Sequence, residues 1–309
     1  MKKQKDFAFS SLNRTFVVEM KTGLVLEGGA LRGLFSAGVI DVMMENGVKF
    51  DGLVGVSAGA AFGCNYKSRQ AGRAIRYNTR FANDWRYCSW RSWLTTGDLF
   101  GGEFCYHVMP EELDLFDTAA FDSNPMEYYA VCTDVETGEP VYQKLMKCAY
   151  DTYEYIRASA SMPLVSKVVE VGGQKLLDGG VSDSIPLEFF QRMGYERNVV
   201  VLTQPLGYRK EHNKLMPLMR MSLRKYPNMI RALDTRHVMY NKQLDFVAKE
   251  ELKGNTLVIR PPHKLSIGHL SHNPDEMREV YRIGRETGEQ YLERIIQFTI
   301  DNSQLTIDN

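Results

Sequence analysis

Long apolar runs are missing from this chain. None approaches the ~20 residues needed to span a bilayer. The basic start, MKKQKDFAFSSLNRTFVVEMKTG, holds no apolar stretch long enough for a secretory signal. An excess of either charge is missing too. The chain balances 38 Lys and Arg against 38 Asp and Glu, so nothing draws the protein as a whole to nucleic acid. Cysteine is sparse and unpatterned: Cys64, Cys88, Cys105, Cys132 and Cys148 are odd in number and form no C-x-x-C pair. A reduced, intracellular setting is the simplest reading. The expected compartment is the cytoplasm, with any membrane contact peripheral. There is no internal repeat, no low-complexity segment, no Walker loop G-x-x-x-x-G-K-[ST] and no calcium loop.

What is present is a succession of short apolar runs separated by helical patterns. Thr22 to Glu27 and Asp51 to Val56 read as buried strands. Between them Leu31, Leu34, Phe35, Val39, Val42 and Met43 recur at helical spacing, and Asn46-Gly47 supplies the stop. A helix from Ala58 to about Phe81 is expected to break near Gly72. Further strands are expected at Tyr128 to Asp134, Val141 to Leu145, Val168 to Val171, Val199 to Thr203 and Leu257 to Ile259. Asn273-Pro274-Asp275-Glu276 reads as the start of a final helix, with Asn as N-cap and Pro at the first helical position. Strands alternating with helices imply a mostly parallel sheet covered on both faces. No Pro/Gly/Ser-rich linker divides the chain. The expected organisation is an extension over 1–21, then one domain over 22–309, with 206–309 the less certain part.

Two glycine turns carry the chemistry. Gly28-Gly29-Ala30-Leu31-Arg32-Gly33 follows the first strand and opens a helix. Such a turn suits a phosphate or a developing oxyanion, because helix N-terminal amides point at the anion. The dinucleotide pattern G-x-G-x-x-G fails at Ala30. Its acidic partner would be Asp51, which precedes its strand where it should end one. Gly55-Val56-Ser57-Ala58-Gly59 is more specific. In G-x-S-x-G the serine occupies a strained strand-to-helix turn, and both glycines are small because backbone crowds there. Packing alone remains the alternative for either turn.

A nucleophilic serine needs a base. His107, His212, His237, His263, His269 and His272 stand in no turn motif and read as surface or packing residues. The spacing of the last three matches no metal site. Asp178, in Leu177-Asp178-Gly179-Gly180, ends an apolar strand and reads as a carboxylate at the sheet edge or as a hairpin turn.

Taken together and in order, the G-G-A-L-R-G turn, the Ser57 elbow and the Asp178-Gly179-Gly180 turn resemble the patatin-like phospholipase family of acyl hydrolases. That family has a G-G-G-x-R/K-G turn, a G-x-S-x-G elbow and a D-G-G or D-G-A turn. Ser161-Met162-Pro163 and Pro186 fit it as well. Arg86-Tyr87 through Gly97-Asp98-Leu99-Phe100, and Thr133 to Gly138, look like a bacterial branch. The likeness covers about residues 22 to 205 and is weaker beyond.

The resemblance implies a three-layer α/β/α fold with a mostly parallel central sheet. It implies a serine acyl hydrolase acting on lipid or other carboxylic esters through a Ser-Asp dyad, Ser57 and Asp178, without histidine, metal or cofactor. Gly55 and Gly59 would shape the elbow. Gly28, Gly29, Ala30, Arg32 and Gly33 would form the oxyanion turn, with Ala30 standing where the family usually has glycine. Arg32 would either bond carbonyls near the elbow or pair with a substrate anion. The other class of function is a non-catalytic or nucleotide-binding α/β protein.

Two further segments bear on substrate. Phe81, Trp85, Tyr87, Trp90, Trp93, Phe100, Phe104 and Tyr106 are expected mainly in the core, with some forming an acyl-pocket wall or lid. Residues 209–236 hold eight basic residues against Glu211 and Asp234, interleaved with Met and Leu. They read as a helix with a charged face, broken by Pro217 and Pro227, or as a peripheral contact with an anionic membrane.

Overall fold

The computed structural model describes residues 20–300. The 1–21 extension therefore lies outside the described residues except for its last two. In chain order the elements are β1 (Lys21–Leu26), α1 (Gly33–Glu45), β2 (Gly52–Val56), α2 (Ala58–Lys67), α3 (Arg73–Phe81), α4 (Trp90–Thr96), α5 (Thr118–Ser123), β3 (Glu127–Asp134), β4 (Pro140–Lys144), α6 (Tyr150–Ser159), β5 (Val169–Val171), β6 (Gln174–Asp178), α7 (Leu187–Arg192), β7 (Tyr195–Val201), α8 (Met216–Ser222), α9 (Pro227–Leu252), β8 (Thr256–Ile259) and α10 (Pro274–Ile300). Phe104–Leu113 form a π-helical stretch between α4 and α5.

The sheet has eight strands in the order β5-β6-β3-β2-β1-β7-β8, with β4 also paired to β3. Strands β3, β2, β1, β7 and β8 are parallel, while β4, β6 and β5 join antiparallel. Side chains alternate between its faces. Leu24, Leu26 and Leu53 pack into the core formed with α1, α2 and α10. Val25, Val54, Val56 and Val200 face α7 and α9. The fold is thus a three-layer α/β/α sandwich with a mostly parallel central sheet.

The C-terminal elements are part of this packing. β8 extends the sheet beside β7. α10 crosses α1 closely: a Cβ on Gly38 would lie 2.3 Å from the Tyr281 carbonyl oxygen, and one on Gly284 2.1 Å from that of Phe35. The helix starts where the cap signal places it, with the Asp275 amide donating to Asn273 Oδ1 at 2.9 Å.

Three expectations need correction. The 209–236 segment is broken before Pro227, as expected, since α8 ends at Ser222 and α9 begins at Pro227; Pro217 breaks no helix but stands in the first turn of α8, where a missing N–H removes no intrahelical bond. Asp178-Gly179 is not the β5–β6 hairpin, which turns instead at Gly172 and Gly173, both with positive φ. The three tryptophans are not core. Trp85, Trp90 and Trp93 are exposed, whereas Phe81, Tyr87 and Phe104 are buried.

Candidate active site

The carboxyl edge of a parallel sheet is where successive strand-to-helix turns converge. Here β1 delivers the Gly28 turn, β2 delivers Ser57 and β7 delivers Thr203 to that edge. Asp178 reaches the same edge from the opposite direction. β6 runs antiparallel to β3 and stops once Cys132 pairs with Asp178, two residues inside the end of β3. A longer pairing would have carried the carboxylate down the sheet.

Ser57 has φ 55° and ψ −122°, a conformation that side-chain-bearing residues rarely adopt. The glycines around it are required by contact. A Cβ on Gly55 would sit 2.5 Å from the Gly59 carbonyl oxygen, and one on Gly59 would sit 2.4 Å from that of Leu26. The Ser57 amide donates to Ser159 Oγ at 2.9 Å, which ties the elbow to α6. α2 begins at the next residue, so its N-terminus lies at the serine.

The glycine turn leans on this elbow; a Cβ on Gly28 would meet Ser57 Cβ at 2.8 Å. The amides of Gly28, Gly29 and Ala30 donate no hydrogen bond among the described residues. Ala30 takes φ 49°, so the alanine accepts the left-handed conformation that glycine would adopt freely. Gly33 serves the approach of α1 to α2, since a Cβ there would lie 2.7 Å from that of Ala58.

Sequence reasoning did not find what holds the turn in place. Glu27 is buried and accepts from the Thr203 amide at 2.6 Å, from Thr203 Oγ1 at 3.1 Å and from the Tyr240 hydroxyl at 2.6 Å. Burial pushes its carboxyl above the ordinary value, against these donors. Thr203 Oγ1 also lies 3.0 Å from the Gly28 carbonyl oxygen. The available signal was an acidic residue ending an apolar strand just before a glycine turn.

Asp178 is buried, and burial raises its carboxyl above 3.8. The Arg236 guanidinium, the Ser57 hydroxyl, the Gly180 amide and the Lys210 ammonium act in the opposite direction. The Gly180 amide donates to Oδ1 at 2.7 Å. The Ser57 hydroxyl acts on the same carboxylate as a hydrogen-bond partner. The arrangement can move a proton from a hydroxyl to a carboxylate more basic than a solvated aspartate.

Among the described residues no histidine bonds to Ser57 or Asp178. His269 Nε2 instead lies 2.7 Å from Arg32 NH1, so Arg32 does not bond carbonyls near the elbow as one reading expected. Its Nε is buried and unpartnered. Burial and three neighbouring cations push the His269 imidazole below its ordinary value. Asp51 binds the Thr22 amide and hydroxyl at 2.7 and 3.0 Å, at the amino end of β1 and away from the glycine turn. It is therefore not placed to hold a ribose there. Among the described residues no group of three or more His, Cys, Asp or Glu is arranged for a metal ion.

Beside Ser57 opens an apolar cavity of about 110 Å³, walled by Leu31, Phe62, Tyr87, Phe100, Met109 and Ile156 among others. Part of the aromatic 81–107 segment is thus cavity wall as well as core. A buried chain braces this wall: His107 to Glu154 at 2.8 Å, Glu154 to Arg157 at 2.9 Å, and Arg157 to Asp98 at 3.1 Å.

Known proteins with similar sequences cover this arrangement. A model of the patatin-like phospholipase family matches residues 24–190, which include the glycine turn, the Ser57 elbow and Asp178. A second model, a domain of unknown function (DUF6363), matches 226–299, from the start of α9 almost to the end of α10. The chain is 30% identical over 301 residues to "Uncharacterized protein YjjU" of Escherichia coli, covering 93% of this chain and 81% of that one. It is 27% identical over 289 residues to lysophospholipase nte1 of Aspergillus oryzae, and 24% identical over 288 residues to lysophospholipase NTE1 of Saccharomyces cerevisiae. These alignments cover 88% and 89% of this chain but span only 18% and 16% of the two fungal proteins. With a family model matching more than half of its length, the chain belongs to the patatin-like phospholipase family and is, at family level, a lipid acyl hydrolase.

Proposed function

We propose that the protein is a serine carboxylic-ester hydrolase working through a Ser57–Asp178 dyad. The observation that carries this reading is the strained Ser57, φ 55°, facing a buried carboxylate of raised basicity. Ser57 Oγ attacks the ester carbonyl carbon and its proton passes to Asp178. The amides of Gly28, Gly29 and Ala30 receive the oxyanion; one such donor is typically worth about 10²–10³ in kcat. Arg32 and Gly33 complete the oxyanion turn, Arg32 by its charge and Gly33 by fixing α1 against α2. The carbon–oxygen bond to the alcohol then breaks, and Asp178 returns the proton to the leaving oxygen. Water, deprotonated by the same carboxylate, attacks the acyl-enzyme; the bond to Ser57 Oγ breaks, Asp178 returns the proton to that oxygen, and the acid is released. The reaction balances without a cofactor.

Burial addresses the main chemical difficulty, the weakness of an ordinary aspartate as a base for a hydroxyl. The apolar cavity beside Ser57 suits an acyl chain. We read residues 22–309 as one domain, because β8 completes the sheet and α10 packs on α1. A cytoplasmic setting fits five free cysteines. For peripheral membrane contact through 209–236, the support is that Leu215, Leu218 and Met221 are exposed beside Lys214 and Arg224. Met216, Met219, Met229 and Leu233 of the same segment are buried. Replacing Lys214, Arg224 and Lys225 by Gln should reduce sedimentation with anionic liposomes; equal sedimentation would remove that contact.

The test of the central reading is hydrolysis of a short p-nitrophenyl ester by wild type and Ser57→Ala, alongside labelling with a fluorophosphonate. Turnover and labelling should both disappear in the variant. Equal turnover by a folded Ser57→Ala protein would remove Ser57 from the mechanism.

A further inference from the structure

The Arg32 side chain makes one hydrogen bond among the described residues, from NH1 to His269 Nε2 at 2.7 Å. Its Nε is buried without a partner, and it forms no ion pair among the described residues. Glu27 attracts the guanidinium electrostatically, but that carboxylate is already bonded to Thr203 and Tyr240. Two more cations lie close by. Lys210 and Arg236 act with Arg32 on the imidazole, and Arg32 and Arg236 act on the Lys210 ammonium. A long cationic side chain beside two others would swing into solvent unless something held it.

The holder stands on a loop that is itself fixed, the one joining β8 to α10. Leu265 is buried in the core formed with α1, α2 and α10. Ser271 Oγ donates to Glu276 Oε2 at 2.6 Å, in the first turn of α10. His272 Nδ1 donates to the Ala82 carbonyl oxygen at 2.7 Å, just past α3. His269 lies between these anchors.

A guanidinium only donates, so Nε2 must be the unprotonated nitrogen of a neutral imidazole. Protonated, the ring would have no acceptor and would add a fourth cation to the group. The charged groups acting on it are Arg32 of the glycine turn, Lys210 of the loop after β7 and Arg236 of α9. Desolvation first, then these three in that order, lower its pKa from 6.5. The residue as a whole is exposed, so protons from bulk water reach it. The contact is present above the folded pKa and lost as pH falls through it. A neutral acceptor also does what a carboxylate could not. It holds Arg32 without cancelling its charge, whereas Asp or Glu would form an ion pair and offset the field at the glycine turn.

We propose that His269 is a positioning residue: as an uncharged acceptor it holds the Arg32 guanidinium at the oxyanion turn with its charge undiminished, and it releases Arg32 when protonated. The effect on rate rests on the Ser57 reading; the hold on Arg32 does not.

The test compares wild type with His269→Gln, His269→Ala and His269→Glu on a neutral p-nitrophenyl ester. Gln offers an oxygen that accepts from Arg32 and does not titrate. At about pH 8, where the imidazole is neutral, His269→Gln should keep at least about half of wild-type kcat. His269→Ala should lose about tenfold in kcat with little change in KM. His269→Glu should fall as well, although it too can bond Arg32. As pH is lowered, kcat/KM of wild type divided by that of His269→Gln should decline as a single ionisation centred below 6.5. The Asp178 limb is common to both proteins and cancels in this ratio. A flat ratio, a Gln variant as impaired as Ala, or a Glu variant as active as wild type would overturn the proposal. Independently of turnover, NMR of the imidazole should show the Nδ1–H tautomer at neutral pH, with a pKa that rises in Arg32→Gln. The opposite tautomer, or a pKa unmoved by that substitution, would overturn the hold itself. The expected NMR behaviour in a wild type that hydrolyses no ester would support the hold on Arg32 and refute the Ser57 reading instead.

Discussion

The protein holds two cavities of opposite chemistry, one lined by Ser57 and one beside α9. In the first, Leu31, Phe62, Phe100 and Met109 offer carbon, with walls from the glycine turn, α2, α3, the π-helical stretch and α6. In the other, Lys210, Arg236 and His237 offer donors, held by α9 and the loop before α8. An ester is asymmetric in the same sense, with a hydrocarbon on the carbonyl side and an alcohol on the other. The apolar side discriminates through burial, roughly 0.8 kcal/mol per methylene. The polar side discriminates through unsatisfied charge, where losing one partner of a charge-assisted bond costs more than losing a methylene.

The largest effect should come from the shared centre. Ser57→Ala should lower kcat at least about 10³-fold, and by the same factor for esters that vary on the acyl side and on the alcohol side. Unequal losses would mean that the two cavities do not serve one nucleophile. Asp178→Asn comes next, with an expected loss on the order of 10²–10⁴-fold. The amide is close to isosteric, so circular dichroism and thermal unfolding should report a folded protein. Near-full activity in that variant would remove the aspartate from proton transfer.

A smaller change should separate the sides. Ala61 lines the apolar cavity from α2. Ala61→Leu would displace about two methylenes of a bound chain, worth roughly 1.6 kcal/mol or about fifteenfold in kcat/KM. Long-chain esters should suffer this loss while acetyl esters do not. A uniform loss across chain lengths would place the acyl chain elsewhere.

Much of this was legible in the sequence because it is local. The strands before both glycine turns, the G-x-S-x-G elbow, the break near Gly72 and the cap at Asn273 are set by neighbouring residues, and the structure has them. The parallel sheet followed from the alternation of strands and helices. What failed involved solvent exposure or distance along the chain. The tryptophans of 85–93 were read with the other aromatics as mainly core, yet Trp90 and Trp93 of α4 and Trp85 before it are exposed. Pro227 does stand at a break between α8 and α9, but Pro217, read as a second breaker, lies inside the first turn of α8. Glu27 is fixed by Thr203 and Tyr240, and Asp178 is tuned by Arg236 and Lys210. No short window contains those pairs. His269 meets Arg32 across 237 positions, so no spacing rule could have joined them.

The smallest predicted effect tests the coupling between the polar cavity and the base. Asp178 must be ionised to take the serine proton, so kcat/KM falls as pH drops through its folded pKa. Burial raises that pKa, which places the acidic limb above the 3.8 of an ordinary aspartate. Arg236 favours the ionised form and therefore holds the limb lower than burial alone would. Arg236→Gln removes that cation, so the carboxyl should become harder to ionise. The acidic limb measured on a neutral ester should move to higher pH, by about half a unit to one unit for a partly screened charge. Lys210→Gln should move it the same way by less, since Lys210 is the weaker influence on Asp178. A limb that stays in place in both variants would make the base electrostatically independent of Arg236 and Lys210. A shift in Arg236→Gln would mean that an anion bound beside Arg236 also acts on the base.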